Sequence, residues 1–137
     1  MKYSNKCSNK YNCDTDLLYV DNELLINNIP IIRIKHSINI NNYNVKQILD
    51  KIDLFMTSIT EDKYIVLVNF DEMDHDISIS KIKDIIIYVE KTYIDRIFKI
   101  IIYNYNIIWK FLIDILLTVL NKNTTDKLCF KKQIDTI

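Results

Sequence analysis

Hydrophobic positions recur along the chain with two different periods. Val45, Ile48, Leu49, Ile52, Phe55, Met56 and Ile59 share one face of a 3.6-residue repeat, which predicts an amphipathic helix with Asn44 at its cap. Tyr64 to Phe70 (YIVLVNF) is instead a run of β-branched and aromatic residues, the mark of a strand covered on both faces in a parallel sheet. A second helix is predicted next, with Ser80 as its cap and Ile82, Ile85, Ile86, Val89 and Tyr93 as its buried stripe. Phe98 to Tyr103 (FKIIIY) reads as another buried strand, and Ile107 to Leu120 as a third helix. After a turn over Asn121 to Asp126, Lys127 to Phe130 makes a last short strand.

Upstream, Leu17 to Val20 and Leu24 to Ile26 are short apolar runs separated by Asp21 and Asn22, a hairpin signal. Asn27 and Asn28 form a turn before a strand through Ile31, Ile32 and Ile34, with Pro30 at its first position, where a missing N–H is tolerated. Asn39 to Asn44 reads as a polar loop. Strands alternating with helices of this length predict crossover βαβ units. The expected architecture is a single α/β domain over residues 17–131, with a mostly parallel β-sheet, a flexible polar leader at 1–16 and a tail at 132–137.

The third helix has an unusual wheel. Lys110, Asp114 and Thr118 form its only polar stripe, and every other position is apolar. That apolar arc is wider than one surface of a small sheet can cover, so something else must contact it.

Composition narrows the function. A chain of 137 residues fits one core. Eighteen basic residues balance eighteen acidic ones, so the broad positive footprint of a nucleic-acid binder is missing. There is no Gly and no Ala, while Ile, Asn, Lys and Tyr abound. These are residues of A+T-rich codons and point to an A+T-rich genome, such as that of a large DNA virus or a parasite. Without Gly, every turn with φ > 0 must use Asn or Asp, and glycine-dependent phosphate loops are excluded in their usual form.

Cys7, Cys13 and Cys129 are odd in number and lack a metal-ligand spacing, which reads as free thiols in a reducing, cytoplasmic setting. The first sixteen residues have no apolar core of a signal peptide. Phe98 to Leu120 is rejected as a membrane span because Lys99, Asn104, Asn106, Lys110 and Asp114 interrupt it.

Candidate chemistry is sparse. In Asp71 to Asp76 (DEMDHD), Asp71, Asp74, His75 and Asp76 are of the types that ligate a hard cation, but no second acidic cluster accompanies them. Solvated charge near a helix N-terminus is the preferred reading. The S-x-x-K pairs Ser78/Lys81 and Ser80/Lys83 are too short a signal, and His36 stands apart from any nucleophile. The expectation is a protein that is not an enzyme, with no metal and no cofactor.

The order of segments resembles the CRAL-TRIO family, most closely its short divergent branch found in Rho GTPase-activating and ganglioside-induced differentiation-associated proteins. Asn28, Ile29 and Pro30 stand at its G-R-P, and YIVLVNFDEMD at its central strand ending in D-x-x-G, with Asp71 at the Asp and Asp74 at the Gly. KTYIDRIFKIIIYNYNIIWKFL is similar to Y-P-E-R-L, I-I-N-A-P and the helix after them, through Tyr93, Asp95, Arg96, Ile97, Asn104 and Trp109. The family's prolines are Ile94 and Asn106 here. DKLCF resembles the closing K-K-I-x-F strand, through Lys127, Leu128 and Phe130.

The resemblance implies a hydrophobic ligand, a phospholipid or phosphoinositide, held between the sheet and a mobile gate helix at Ile107 to Leu120. Trp109, Phe111, Leu112, Ile115, Leu116 and Val119 are then the expected lipid- or partner-binding residues, with Val68, Phe70 and Ile102 beside them. Packing of a small core explains the gate residues as well. Arg96, Lys99, Lys122 and Lys127 are the cations expected near an anionic headgroup, or else solvated surface charges. Expected settings are cytoplasmic, with peripheral membrane contact. Two alternatives stay open: an interaction scaffold that forms a homodimer or binds a small GTPase or host protein, and a STAS-like regulatory domain acting through Ser78 or Ser80.

Overall fold

A computed structural model describes residues 17–35, 40–70 and 78–131, without the side chains of 22–25 and 40. The leader, the tail, Cys7, Cys13, His36 and the cluster Asp71 to Asp76 lie outside the described residues.

The chain begins with a hairpin. Strands β1 (Leu18–Ile26) and β2 (Ile29–Ile34) pair antiparallel from Leu18↔Ile34 to Ile26↔Ile29. The two residues between them, Asn27 (φ 55) and Asn28 (φ 67), are both left-handed. That geometry matches the twist of a two-residue hairpin, and Asn tolerates it. The reversal expected at Asp21 and Asn22 does not occur. A register shift between Asp21 and Leu25 absorbs those residues, and the strand runs on to the Asn pair.

Helix α1 (Val45–Ser58) opens on a reciprocal cap, as Asn44 Oδ1 accepts from the Gln47 amide at 2.8 Å and Gln47 Oε1 accepts from the Asn44 amide at 2.9 Å. Its expected face is the buried one, through Ile48, Ile52, Phe55 and Met56. Strand β3 (Tyr64–Asn69) follows, then helix α2 (Ile79–Tyr93), strand β4 (Ile97–Tyr103) and helix α3 (Ile107–Leu117). A one-turn helix α4 (Lys122–Thr125) occupies the expected turn, and strand β5 (Leu128–Lys131) closes the sheet.

Two helix ends differ from the sequence expectation. The cap of α2 is Ser78, whose Oγ accepts from the Lys81 amide, so the helix starts two residues earlier than a Ser80 cap allows. At the other end, the Thr118 hydroxyl and amide both take the Ile115 carbonyl, and Val119 N–H takes that of Leu116. The competing hydroxyl tightens the last turn, so α3 stops at Leu117 rather than Leu120.

The sheet order is β1-β2-β3-β4-β5, with β2 to β5 parallel. Each parallel strand lies next to its predecessor in the same direction, and right-handed crossovers then put α1, α2 and α3 on one face. Two apolar clusters form there. Ile32 and Val66 meet α1, while Val68, Ile100, Ile102 and Leu128 meet α3. Helix α2 bridges them, with Ile85, Val89 and Tyr93 toward the first and Ile82 and Ile86 toward the second. Its stripe was expected to be buried, yet no α2 residue is fully so, and the stripe is divided between the edges of the two clusters. On the opposite face Ile31, Ile65, Leu67, Ile101 and Tyr103 form a third cluster that contains no helix residue among those described.

Candidate functional site

The region that joins most of the expected site residues is the seam between α2, α3 and the sheet. Helix α3 is set by Asn104, left-handed at φ 59, whose amide donates to the Asn69 side chain at 3.0 Å, and by Asn106, which caps the Trp109 amide. Its inward stripe is Trp109, Leu112, Ile113 and Leu116, the spacing of a single helical face. Against it stand Phe70, the residue that follows β3, and Ile102 of β4, with Val68 half-buried beside them. The indole of Trp109 stacks on Phe70, with ring centroids 4.5 Å apart.

Thus Trp109, Leu112, Leu116, Phe70, Ile102 and Val68 come together, and the other three expected residues do not join them. Phe111 faces solvent, and Ile115 and Val119 are half-buried outside this cluster. Ile113 was missed, although it lies four residues after Trp109 on the same stripe. Ile82, Ile86, Ile100 and Leu128 were missed as well, since only the tertiary fold brings them here.

The two faces of the same strands differ in closure. Ile65, Leu67 and Ile101 are 0%, 2% and 1% exposed, while Val66, Val68 and Ile100, which alternate with them toward the helices, keep partial access. The helix-covered side is thus closed under α1, where Ile32 and Tyr64 are buried, and partly open at Val66, Val68 and Ile100. On the outside of α3, Ile107, Ile108 and Phe111 are 83%, 63% and 68% exposed, next to the Lys110–Asp114 ion pair. Leaving each such side chain in water forgoes about 1.5–3 kcal/mol.

The expected headgroup cations are dispersed. Arg96 donates to the carbonyls of Met56, Ile59 and Glu61, at the C-terminal end of α1, and lies over the Tyr64 ring. Lys127 donates to the Ile94 carbonyl after α2, and Lys122 pairs with Asp126 on the surface. Lys99 lies on β4 opposite Ile65. Cations on carbonyls at helix C-termini complement the helix dipole. Ser78 serves as the α2 cap, and Ser80 is exposed in its first turn.

Two polar clusters flank the apolar ones. Asp53 of α1 accepts from the hydroxyls of Tyr88 and Tyr93 on α2, bracing the helix pair. Burial, then the Asp53 bond and charge, push the Tyr93 hydroxyl well above the usual range, and the Asp53 bond chiefly raises that of Tyr88. On the other face Arg33 contacts Asp21 and Tyr103. Burial opposes its charge, but Tyr103 and the Asp21 bond outweigh it and hold the pKa above the ordinary value.

The sequence model of the CRAL/TRIO domain matches residues 27–137. The chain belongs to the CRAL/TRIO domain family. No curated protein matches it. CRAL/TRIO domains are generally lipid-binding modules and typically non-enzymatic. In this CRAL/TRIO domain no described helix is long and apolar enough to cross a membrane, and no group of three or more His, Cys, Asp or Glu among the described residues suits a metal. The match excludes the whole of β1, which spans Leu18–Ile26.

Proposed function

We propose that the protein is a non-enzymatic carrier or sensor of a phospholipid or phosphoinositide, with an acyl chain held in the seam between α2, α3 and the sheet. The observation that carries the reading is the partial access of Val68 and Ile100 on the sheet and of Ile82 and Ile86 on the α2 stripe above it, against the complete burial of Ile65, Leu67 and Ile101 on the other face. An apolar ligand completes the contacts that half-buried apolar side chains lack. Ile107, Ile108 and Phe111 then face the membrane from which the lipid is taken, an apolar tip on a peripheral protein. Native mass spectrometry after incubation with phosphatidylcholine vesicles, with and without phosphoinositides, is the test. A protein mass raised by one lipid is expected, and a spectrum of bare protein under both conditions sinks the reading.

The same outward residues support a second reading, a protein-interaction scaffold in which this tip of α3 meets a second copy or another protein. A dimer mass in the same spectrum, with no lipid, favours it.

A further inference from the structure

We infer that residues 1–16 of the chain lie as a strap across the sheet face that carries no helix, with Tyr3, Cys7, Tyr11 and Cys13 turned down onto it; the inference is independent of the lipid-binding reading. On that face Ile31, Ile65, Leu67, Ile101 and Tyr103 form one apolar cluster over β2, β3 and β4, and none is more than 6% exposed. Apolar side chains on a bare sheet face keep contact with water, because their neighbours stand beside them and not over them. Something covers this cluster, and no described helix does. The bond from Arg33 to Tyr103 crosses β3 at one level, beside Leu67, and does not extend to Ile31 and Ile65, two residues earlier.

The cover comes from chain outside the described residues. Segments 36–39 and 71–77 each join the end of a parallel strand to a helix of the other face. The tail 132–137 holds two apolar residues, Ile134 and Ile137, at an odd spacing, so an extended tail turns only one of them to the sheet. The leader has the pattern that the face requires. Its charged residues, Lys2, Lys6, Lys10, Asp14 and Asp16, all stand at even positions, and Tyr3, Cys7, Tyr11 and Cys13 all stand at odd ones. Successive side chains of an extended segment point to opposite sides, so this is a ribbon with one charged side and one aromatic and thiol side. It joins the sheet at Leu17, whose carbonyl takes the Lys35 amide beside β1.

The strap brings a particular pair of thiols together. Cys129 of β5 is half-buried at the edge of the same cluster, opposite Ile101 in register. From Leu17 at the β1 edge to Cys129 on β5 is four strand spacings, about 20 Å. Cys7 stands ten residues before Leu17 and reaches about 33 Å when extended, enough to come to Cys129. Cys13 stands four residues before Leu17, reaches about 13 Å and stops short.

Disulfide trapping in the full chain tests the strap. Cys13→Ser leaves Cys7 with Cys129, and Cys7→Ser leaves Cys13 with Cys129. Diamide takes two electrons and two protons from a thiol pair, becoming the hydrazine, and peptide mass spectrometry reads the bond formed. The Cys13→Ser protein is expected to form its intramolecular bond about tenfold faster when native than in urea, where the long loop lowers the effective concentration of the thiols. The Cys7→Ser protein is expected to gain nothing from the native state. Equal native and unfolded rates for Cys7 with Cys129, or a bond only between two copies, overturn the strap. Alkylation of Cys129 in the Cys7→Ser, Cys13→Ser protein reads the cover without any disulfide. Adding Tyr3→Asp and Tyr11→Asp is expected to speed that alkylation about tenfold, as a protecting contact is lost. No change, or acceleration by Ile134→Asp in the tail instead, overturns the strap.

Discussion

Arg33 on β2 donates to the hydroxyl of Tyr103 on β4 at 2.9 Å, reaching across the intervening strand β3. The guanidinium also holds Asp21 of β1 at 3.2 Å, so one side chain ties β1, β2 and β4 together over β3 on the face away from the helices. Loss of the phenol in Tyr103→Phe is expected to cost about 1.5 kcal/mol, the worth of a bond to a charged donor. Asp21→Asn is expected to cost more, since it leaves a mostly buried cation without its counter-charge. Urea unfolding midpoints check both, and equal stability in all three proteins rejects the tie.

Arg96 fastens the end of α1 through three carbonyls. Arg96→Ala is expected to lose about 3 kcal/mol, and Arg96→Lys to recover little of it, because an ammonium lacks the planar fork. Chemical denaturation reads the loss. A variant that keeps wild-type stability yet no longer binds anionic vesicles assigns Arg96 to a headgroup instead.

Ile108 and Phe111 project into solvent from α3. Ile108→Asp and Phe111→Asp are expected to keep stability within about 0.5 kcal/mol, as surface changes do. If these residues enter a membrane, each change lowers vesicle co-sedimentation by about tenfold, equivalent to 1.4 kcal/mol and within the value of one buried apolar side chain. Light scattering of the same variants detects a second-copy interface, which would turn a dimer into a monomer.

Tyr93 binds its proton more tightly when folded, through burial and the Asp53 carboxylate. The unfolded phenol titrates near 10, so the native state holds the extra proton above that pH and the unfolded state does not. The stabilisation is complete below about pH 10 and is lost as pH rises toward the folded value. Denaturation midpoints from pH 8 to 11.5 test this. The stability lead of wild type over Tyr93→Phe is expected to be constant at first and to shrink above about pH 10.

Much of this architecture was legible in the chain. The face of α1 and its Asn44 cap depend on local spacing and on one side chain reaching its own backbone, so periodicity reveals them. The absence of Gly pointed to Asn at left-handed positions, and Asn27, Asn28 and Asn104 hold them among the described residues. The excess apolar arc of the third helix was legible too, because a wheel counts apolar positions without knowing what covers them.

What the wheel does not contain is direction. Trp109, Leu112, Ile113 and Leu116 turn inward and Ile107, Ile108 and Phe111 outward only because a right-handed crossover lays α3 on the β4–β5 side of the sheet, next to α2. Arg96 looked like a free surface cation until the fold carried the end of α1 beneath it. The stack of Trp109 on Phe70, 39 residues away in sequence, has no local signal at all. Sequence by itself determined the elements, their caps and the surplus of apolar surface, since these follow from neighbours within a few residues. Tertiary structure alone decided which side of that surplus closes the seam and which meets the outside, because that choice depends on the packing of strands and helices distant in the chain.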